Sequence, residues 1–380
     1  MNRIVNTRKY QMCTRCVMDT TDPDIIFDKK GVCNHCYTRD EKIKRSVISG
    51  TAGMDKLNKV IDKIRKDNKN KEYDCIIGVS GGVDSTFVAY KAIEYGLRPL
   101  AVHLDNGWDS ELSIKNIENI CRKLKIDLHT IVLDWDEFKD LQLAFLRAST
   151  PDSEIPSDHA IVASMLNTAR MVKVKHIITG YNARTESHLP SAWSQGHFDW
   201  GYIKNVQKRF GSVHLETFPH LSFSNFLFNS YGFIDILNYL DYSKKDVMPI
   251  LERELGWQYY GGKHCESIYT RWYQGYWLPK KFGYDKRKGH LSSLICSGET
   301  TRAEALEELA KPTYPLELQK EDTIYVIKKF DLTCDQLDAI LHLPKKSYWD
   351  YASYGKIYKI PIYNGLQTVY RAIKSKSASN

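Results

Sequence analysis

The sequence lacks the features that would carry a protein into or across a membrane. Its N-terminal residues include no apolar segment of the secretory type, and no apolar run approaches about 18 residues. A Met-Gly start and a C-terminal CaaX box are both missing. We therefore expect a cytoplasmic protein without a membrane partner.

Cysteine is too irregularly placed for a protein held together by disulfides. The chain has nine cysteines, an odd number, and no secretory signal, which argues against a disulfide framework. Charged residues make up 26% and hydrophobic residues 42% of the 380 residues, which excludes a disordered or fibrous chain. The net charge of +8 favours an anionic partner such as a nucleotide, an acidic sugar or a nucleic acid, unless it serves solubility alone.

Four of the cysteines form two CxxC pairs separated by 16 residues: Cys13, Cys16, Cys33 and Cys36. Each pair presents two thiolates, and two pairs at this spacing are typical of a tetrahedral Zn²⁺ site. Four thiolates leave no open coordination position, so the predicted role is structural, with an iron–sulfur cluster as the alternative. We expect a zinc-ribbon-like module over residues 1–45 that unfolds when the metal is removed.

From residue 73 onward, short apolar runs alternate with helical patterns. The predicted strands cover 75–79, 99–104, 128–133 and 176–180. The predicted helices cover 84–95, 110–124, 136–148 and 158–172. This alternation indicates an α/β fold with a doubly wound, mostly parallel sheet, in which ligands bind beyond the carboxyl ends of the strands.

The remaining segments complete the predicted domain organisation. Residues 46–71 carry apolar residues at helical spacing and form a connector helix to the sheet domain, residues 72–245. Residues 246–380 are expected to be mainly helical, and a capping box at Thr301 and Glu304 starts one of these helices. We expect this C-terminal region to close over the substrate and the nucleotide.

A glycine-containing loop, Ser80-Gly81-Gly82-Val83-Asp84-Ser85, directly follows the first predicted strand. Glycines let the backbone approach a phosphate, and the N-terminus of the next helix directs free N–H groups and a positive dipole at it. The loop is neither a Walker A motif nor GxGxxG. Ser80 and Ser85 add hydroxyl donors, and Asp84 is also a candidate N-cap of the helix.

The SGGVDS loop resembles the pyrophosphate loop of the PP-loop ATP pyrophosphatase superfamily, which has an adenine-nucleotide alpha-hydrolase-like fold. Those enzymes cleave ATP between its α and β phosphates and adenylate an oxygen of their substrate. The resemblance implies that ATP contacts the loop and the ends of the second and fourth strands. The implied nucleotide-binding residues are Val79, Ser80, Gly81, Gly82, Asp84, Ser85, His103, Leu104, Asp105, Gly180 and Asn182.

A stretch rich in basic and aromatic residues, 261–293, is the candidate second wall of the nucleotide site, with a basic helical surface as the alternative. Its cations are candidates to neutralise phosphates, and Glu266 and Asp285 are candidate Mg²⁺ ligands or acid–base groups. The expected catalytic residues are Asp84, Glu266, Lys281, Lys286 and Arg287. The expected substrate-binding residues are Arg184, Lys263, His264 and Arg271. Four aromatic residues are candidates to stack on a sugar or a base, or to belong to the core: Trp272, Tyr273, Tyr276 and Trp277.

Taken together, CxxC…CxxC, SGGVDS and GGKHCES…TRWYQGYWLPKKFGYDKRKGHLSSLICSG are similar to the bacterial N-acetyl sugar amidotransferases of O-antigen and flagellin-glycan biosynthesis. The resemblance covers nearly the whole chain. It implies conversion of a sugar acetamido group into an acetamidino group, with ATP, Mg²⁺ and Zn²⁺ as cofactors. The implied substrate is an acidic amino sugar, either nucleotide-linked diacetamido-mannuronic acid or a nonulosonic acid.

The chain also lacks a means of releasing ammonia from glutamine. Residue 2 is asparagine rather than a cysteine nucleophile, and Cys296 lies in ICSG rather than in a G-x-C-x-G elbow. We therefore expect a separate glutaminase. The family resemblance implies homologues of the two-part imidazole-glycerol-phosphate synthase, namely a glutaminase and a barrel subunit.

Two other functions fit parts of the sequence. A PP-loop tRNA-thiolating enzyme would suit the positive charge, but such enzymes generally use paired cysteines or a cluster near the loop, and the cysteines outside the two CxxC pairs are single. A scaffold that only senses ATP is the other alternative, and the dense polar residues of 261–293 argue against it. We expect no nucleic-acid partner.

Overall fold

The computed structural model describes residues 8–224, 232–262 and 266–359. Its centre is a sheet of five parallel strands in the order β3-β2-β1-β4-β5. The strands are β1 (Cys75–Gly78), β2 (Pro99–Asp105), β3 (Asp127–Val132), β4 (Ile177–Ile178) and β5 (Phe233–Ile234). The order grows outward from β1 in both directions, which confirms the predicted doubly wound α/β fold.

Helices cover both faces of this sheet, since successive residues of β1 point to opposite sides. Cys75 and Ile77 lie in one apolar cluster, and Ile76 lies in another with residues of α6. The helices up to this point in the chain are α1 (Asn34–Ser46), α2 (Gly50–Asp67), α3 (Val83–Glu94), α4 (Glu111–Leu124), α5 (Trp135–Ala148), α6 (Ile155–Met171) and α7 (Trp200–Phe210). The predicted connector helix corresponds to α2, whose apolar stripe is buried.

Three elements differ clearly from the sequence prediction. Strand β4 keeps only two of the five residues predicted over 176–180. Helix α6 begins at Ile155 rather than at residue 158, because Pro156 lies in its first turn, where a missing N–H breaks no helical hydrogen bond. Strand β5 was not predicted. It has only two residues, both partly buried, and a strand this short leaves no alternating pattern in the sequence.

The C-terminal part is helical, as predicted. Its helices are α8 (Lys244–Leu255), α9 (Ile268–Trp272), α10 (Leu278–Phe282), α11 (Lys286–Ser297), α12 (Arg302–Ala310), α13 (Leu316–Lys329) and α14 (Cys334–Leu341). The boundary placed after residue 245 therefore falls inside α8. The predicted capping box at the start of α12 is confirmed, with Thr301 and Glu304 bonding each other's backbone N–H. Within the described ranges, no helix is both long and apolar enough to cross a membrane.

Most of the aromatic residues considered as stacking platforms belong to the core. Trp272, Tyr273 and Trp277 are at most 1% exposed and lie in one apolar cluster with Tyr269. A ring enclosed in this way cannot stack on a ligand, so the stacking interpretation is wrong for these three. Tyr276 is only partly buried.

The cysteine module packs against the C-terminal helices. The guanidinium of Arg302 donates to the carbonyl oxygens of Cys13 and Cys16, at 3.1 Å each. The backbone N–H of Val17 donates to Ser292 Oγ of α11 at 3.2 Å. The cysteine module therefore packs against α11 and α12.

Candidate active site

The conformation of the SGGVDS loop is fixed from behind by other elements. Gly81 has φ of +75°, and a Cβ atom at this position would lie 2.6 Å from the carbonyl oxygen of Ser113 in α4. The Gly81 carbonyl accepts hydrogen bonds from Trp257 Nε1 at 2.8 Å and from Asn116 Nδ2 at 3.4 Å. Only glycine therefore satisfies both the backbone angle and the space at this position.

The donor groups of the loop suit a phosphate. The hydroxyl oxygens of Ser80 and Ser85 are 3.3 Å apart, and the first-turn N–H groups of α3 have no carbonyl partner within the helix. A Cβ atom on Gly82 would lie 3.9 Å from Glu266 Oε1, so the Glu266 carboxylate faces the loop. The loop thus offers N–H and O–H donors for an anion, with a carboxylate nearby that is of the type that binds Mg²⁺.

One interpretation of the sequence made Asp84 the N-cap of α3, and the structure contradicts it. The N-cap is Gly82, and the Asp84 carboxylate turns instead to residues beyond β5. It accepts a hydrogen bond from Tyr242 Oη at 2.5 Å and pairs with Lys244 Nζ at 2.8 Å. Burial alone would lower the pKa of Lys244, but the charge and hydrogen bond of Asp84 outweigh it, so the pKa of Lys244 is raised.

The carboxyl end of β4 closes against the same helix turn. A Cβ atom on Gly180 would lie 3.1 Å from Asp84 C and from Ser85 N. Gly180 therefore allows the strand end to approach α3 closely. Asn182 stabilises the turn that follows, because its Oδ1 accepts a hydrogen bond from the Arg184 N–H at 2.9 Å.

A cavity of about 530 Å³ opens in front of the loop. It is lined by the predicted nucleotide-binding residues Val79, Ser80, His103, Leu104 and Gly180 and by the predicted catalytic residues Glu266 and Lys286. Asp105, by contrast, accepts the Gly107 N–H at 2.9 Å and shapes the turn after β2. The cavity lies at the carboxyl ends of β1, β2 and β4, where a doubly wound sheet binds its ligands.

His103 is held in a fixed orientation at this cavity. Its Nδ1 lies 3.1 Å from the Val79 carbonyl, and its Nε2 lies 3.2 Å from Asp109 Oδ2. Burial alone would lower the pKa of His103, but the hydrogen bond and charge of Asp109 outweigh it and raise that pKa. These two contacts fix the orientation of the ring at the cavity.

A second, larger cavity of about 970 Å³ adjoins the first. Four residues line both cavities: Leu189, Thr270, Gln274 and Lys286. At this junction Lys286 Nζ lies 3.0 Å from Glu154 Oε2, which also accepts from Gln274 Nε2 at 2.8 Å. Burial alone would lower the pKa of Lys286, but the charges of Glu154 and Asp152 outweigh this effect. The net pKa is raised, so the ammonium stays charged. A Lys286–Glu154 ion pair therefore lies at the point where the cavities meet.

An acidic segment between α5 and α6 completes the junction and was missed by the sequence analysis. His197 Nε2 lies 3.4 Å from Asp152 Oδ2, 3.3 Å from Asp158 Oδ2 and 2.8 Å from Ser194 Oγ. Burial would lower the pKa of His197, but the two carboxylates raise it to about 10. The signal in the sequence was the run of acidic residues between Pro151 and Pro156, directly after a helix of the sheet domain.

The structure does not bring Lys281 to the phosphate loop. Its side chain is buried, and Nζ donates to the carbonyl oxygens of Ile340, Leu341 and Leu343 at 2.8, 2.7 and 3.1 Å. These carbonyls lie at the C-terminus of α14, where the helix leaves its last acceptors unpaired. Lys281 thus has a structural role in joining α10 to α14.

Two other predicted cations line the larger cavity but are already paired. Arg271 makes a bidentate pair with the buried Asp322, at 2.8 and 2.7 Å. Arg287 pairs with Asp285 at 2.8 Å and also donates to carbonyls at the end of α12. Their geometry allows them to shape the cavity, and their charges are largely balanced by these carboxylates.

Of the remaining predicted substrate-binding residues, Arg184 lines neither cavity. Arg184 donates to Ser49 Oγ at 2.8 Å and to the Leu237 carbonyl at 3.2 Å, and burial lowers its pKa. These contacts tie the segment after β4 to the start of α2. Lys263 and His264 lie outside the described residues.

The four CxxC cysteines converge into one buried centre. Cys13 and Cys36 Sγ are 3.9 Å apart, and Cys33 Sγ lies 3.7 Å from Cys16 Sγ and from Cys36 Sγ. Tetrahedral Zn²⁺ with Zn–S bonds of about 2.3 Å places its sulfur ligands about 3.8 Å apart. The spacing of the sulfurs is therefore compatible with zinc, which these four residues would hold as a structural ion.

Two protein families match separate parts of the chain. Residues 74–194 match the family described as queuosine biosynthesis protein QueC, and residues 266–364 match the C-terminal domain of the family described as LPS biosynthesis protein WbpG-like. The first match, with the loop and the strand order, defines an ATP-using PP-loop protein. Together with the WbpG-like match, it supports the PP-loop N-acetyl sugar amidotransferase family.

Curated relatives match over a shorter length. The chain is similar to tRNA-specific 2-thiouridylase MnmA of Vesicomyosocius okutanii subsp. Calyptogena okutanii (strain HA), with 30% identity over 131 residues, covering 31% of this chain and 36% of that protein. MnmA of Pseudoalteromonas translucida (strain TAC 125) is 28% identical over 134 residues, covering the same shares. The chain thus spans just over a third of the length of the curated relatives it matches.

Solved structures with similar folds are distant. NMN synthetase from Francisella tularensis has 19% identity and a TM-score of 0.28, covering 36% of this chain and 57% of that chain. NH3-dependent NAD synthetase from Campylobacter jejuni subsp. jejuni has 17% identity and a TM-score of 0.28, covering 41% and 72%. Likenesses this distant say nothing about function.

Proposed function

We propose that the chain is an ATP-dependent amidotransferase that converts the acetamido group of an acidic amino sugar into an acetamidino group. The proposed acceptor is nucleotide-linked diacetamido-mannuronic acid or a nonulosonic acid, made for lipopolysaccharide O-antigen or flagellin glycan. The observation that carries the proposal is the junction of two cavities at Lys286. One cavity faces the phosphate loop, and the other is walled largely by the WbpG-like helices.

The proposed chemistry overcomes the low reactivity of an amide. The acetamido oxygen attacks the α-phosphorus of ATP, and pyrophosphate leaves. Ammonia then adds to the carbon of the resulting O-adenyl imidate, and AMP departs with the former amide oxygen. The products are the acetamidino sugar, AMP and pyrophosphate. The first step turns the amide oxygen, a poor leaving group, into part of AMP, a good one, and the second step expels that AMP.

The described residues suggest a role for each side of the site. The loop hydroxyls of Ser80 and Ser85 and the N-terminus of α3 would bind the outer phosphates. Glu266, which faces the loop, would hold Mg²⁺, whose charge would offset that of the phosphates. Lys286 would place a positive charge where the acetamido oxygen meets the α-phosphate, and its contact with Glu154 would keep it there.

Ammonia is proposed to come from outside the chain, through a separate glutaminase and a barrel subunit. Cys296, in the ICSG sequence, lies next to Cys36 and His188. It does not line the cavity in front of the loop. The purified chain is therefore expected to form product with ammonium and not with glutamine. Product formed from glutamine by the chain alone would refute this part of the proposal.

The tRNA-thiolating alternative is supported by the MnmA matches, which cover 31% of this chain. Sulfur transfer to tRNA requires a reactive cysteine near the adenylated base. No cysteine among the described residues lines the cavity in front of the loop. Cys75 is buried in β1, where burial raises its pKa, and Cys265 lies outside the described residues. The amidotransferase therefore remains the better-supported function.

One experiment separates the two functions. The purified chain is incubated with ATP, ammonium and candidate acetamido sugars, and all products are identified by mass spectrometry. The proposal predicts three products: AMP, pyrophosphate and a sugar whose mass is lower by the difference between an oxygen atom and an NH group. Adenylation of unmodified tRNA without any change in the sugars would favour the thiolating enzyme instead.

A further inference from the structure

The cysteine centre has two neighbours that the CxxC spacing does not reveal. His188 lies in the segment after β4 and Cys296 lies in α11, and His188 Nε2 is 3.8 Å from Cys296 Sγ. These two atoms and Cys36 Sγ all lie within 4.8 Å of one another. Cys36 therefore belongs to two groups of potential metal ligands, one from the CxxC pairs and one shared with distant parts of the chain.

We propose that Cys36, His188 and Cys296 form a second Zn²⁺ position, joined to the first by the Cys36 thiolate as a bridge. In a tetrahedral zinc site, Zn–S bonds of about 2.3 Å and Zn–N bonds of about 2.0–2.1 Å place sulfur and nitrogen about 3.6 Å apart. The observed 3.8 Å between His188 Nε2 and Cys296 Sγ is close to that value. The inference rests on the metal centre and is independent of the proposed reaction.

The hydrogen bonds of His188 suit a metal ligand. Ser293 Oγ donates to the Gly289 carbonyl at 3.1 Å, and its oxygen lies 3.1 Å from His188 Nδ1. Because the hydroxyl proton is already donated, the oxygen accepts from the Nδ1–H of His188. The Nε2 lone pair then points toward Cys296. Metal-bound histidines commonly donate their second N–H in this way, which fixes the tautomer and the ring orientation.

The second position would lie at the wall of the larger cavity. His188 and Ser293 are among the residues that line this cavity, and both are as buried as the four CxxC cysteines. Three protein ligands leave one coordination position for water or another oxygen donor. A water or another oxygen donor would complete the second site, whereas four thiolates leave no open position at the first.

The simpler alternative is one zinc ion, with Cys296 and His188 as hydrogen-bond partners of Cys36. The metal content of the full chain distinguishes the two. After saturation with ZnCl₂ and desalting, the proposal predicts two zinc ions per chain in the wild type and one in Cys296→Ser and in His188→Ala. Cys334→Ser, which changes an exposed cysteine outside the cluster, is the control and should retain both ions.

The zinc that remains in the two variants also reports that the CxxC site has folded. A wild-type content of one ion, unchanged in Cys296→Ser, would overturn the proposal. Cadmium NMR of the wild type gives a second readout that does not depend on the folding of any variant. Two cadmium resonances with mutual coupling through a shared thiolate support the bridged pair, and a single resonance overturns it.

Discussion

Lys244 Nζ lies 2.8 Å from Asp84 Oδ2, which joins the first turn of α8 to the first turn of α3 beside the phosphate loop. Tyr242 Oη donates to the other carboxylate oxygen of Asp84 at 2.5 Å. The charge beside the loop is therefore set by residues that are far from it in the sequence. Asp84 is the acidic residue of SGGVDS, and without Lys244 its charge would face the phosphates unbalanced.

Replacement of Lys244 by methionine is expected to lower kcat roughly 10²-fold, in the range seen when one electrostatic group of an active site is removed. The reason is that Asp84 would then repel the pyrophosphate. Lys245→Met is the matched control, because Lys245 is exposed and donates to the Glu299 carbonyl rather than to Asp84. AMP formation is measured for both variants, and equal rates would contradict the assigned role of the pair.

Gly81→Ala is expected to abolish ATP binding. Its Cβ atom would lie 2.6 Å from the Ser113 carbonyl, so the loop or α4 must shift. Gly50→Ala is the control, since Gly50 also has positive φ, +64°, but a Cβ atom added there would meet nothing within 4 Å. That control should cost about 1 kcal/mol of stability through backbone strain alone. Calorimetric ATP titration of both variants tests the difference, and normal ATP affinity in Gly81→Ala would contradict it.

The cluster around His197 predicts a pH dependence of stability. The pKa of His197 in the folded protein is about 10, whereas an unfolded histidine titrates near about 6.5. A group whose pKa is raised by folding stabilises the protein fully below its unfolded pKa and loses this effect as the pH rises through its folded pKa. The contribution of His197 should therefore decline between about pH 6.5 and about pH 10.

The measurement is the free energy of unfolding of the wild type and of His197→Gln across this pH range. The difference between the two proteins should be largest at the acidic end and should shrink toward alkaline pH. His342→Gln serves as the control, because the His342 side chain is 70% exposed. A difference that stays constant with pH would show that His197 is not charged in the folded protein.

The loop could be predicted from the sequence because its strand, glycines and helix are consecutive in the chain. The partners of the loop could not, since Lys244, Trp257 and Glu266 follow the last strand of the sheet and reach the loop only through tertiary packing. Lys281 shows the converse. Its place in a basic stretch suggested phosphate binding, but its ammonium donates to carbonyl oxygens at the C-terminal end of α14 instead. Helix α11 likewise brings Cys296 to the CxxC centre, which no local spacing could indicate.

Removal of zinc is expected to unfold the N-terminal module. The four cysteines form the centre of its small apolar cluster, and metal binding supplies most of the folding free energy of such a site. Limited proteolysis after chelation should therefore cleave within residues 8–46 before it cleaves the sheet domain. Cys33→Ser should show the same pattern without a chelator, whereas Cys121→Ser, outside the cluster, should not. An unchanged cleavage pattern would contradict a metal-dependent fold.

The central claim is that the acetamido oxygen of the acceptor attacks ATP at its α-phosphorus. The most direct measurement uses an acetamido sugar whose carbonyl oxygen is labelled with oxygen-18, incubated with the purified chain, ATP and ammonium. Mass spectrometry then locates the label. The account predicts that the label appears in AMP and that unlabelled pyrophosphate is formed alongside it. Label in orthophosphate, with ADP as the nucleotide product, would contradict it.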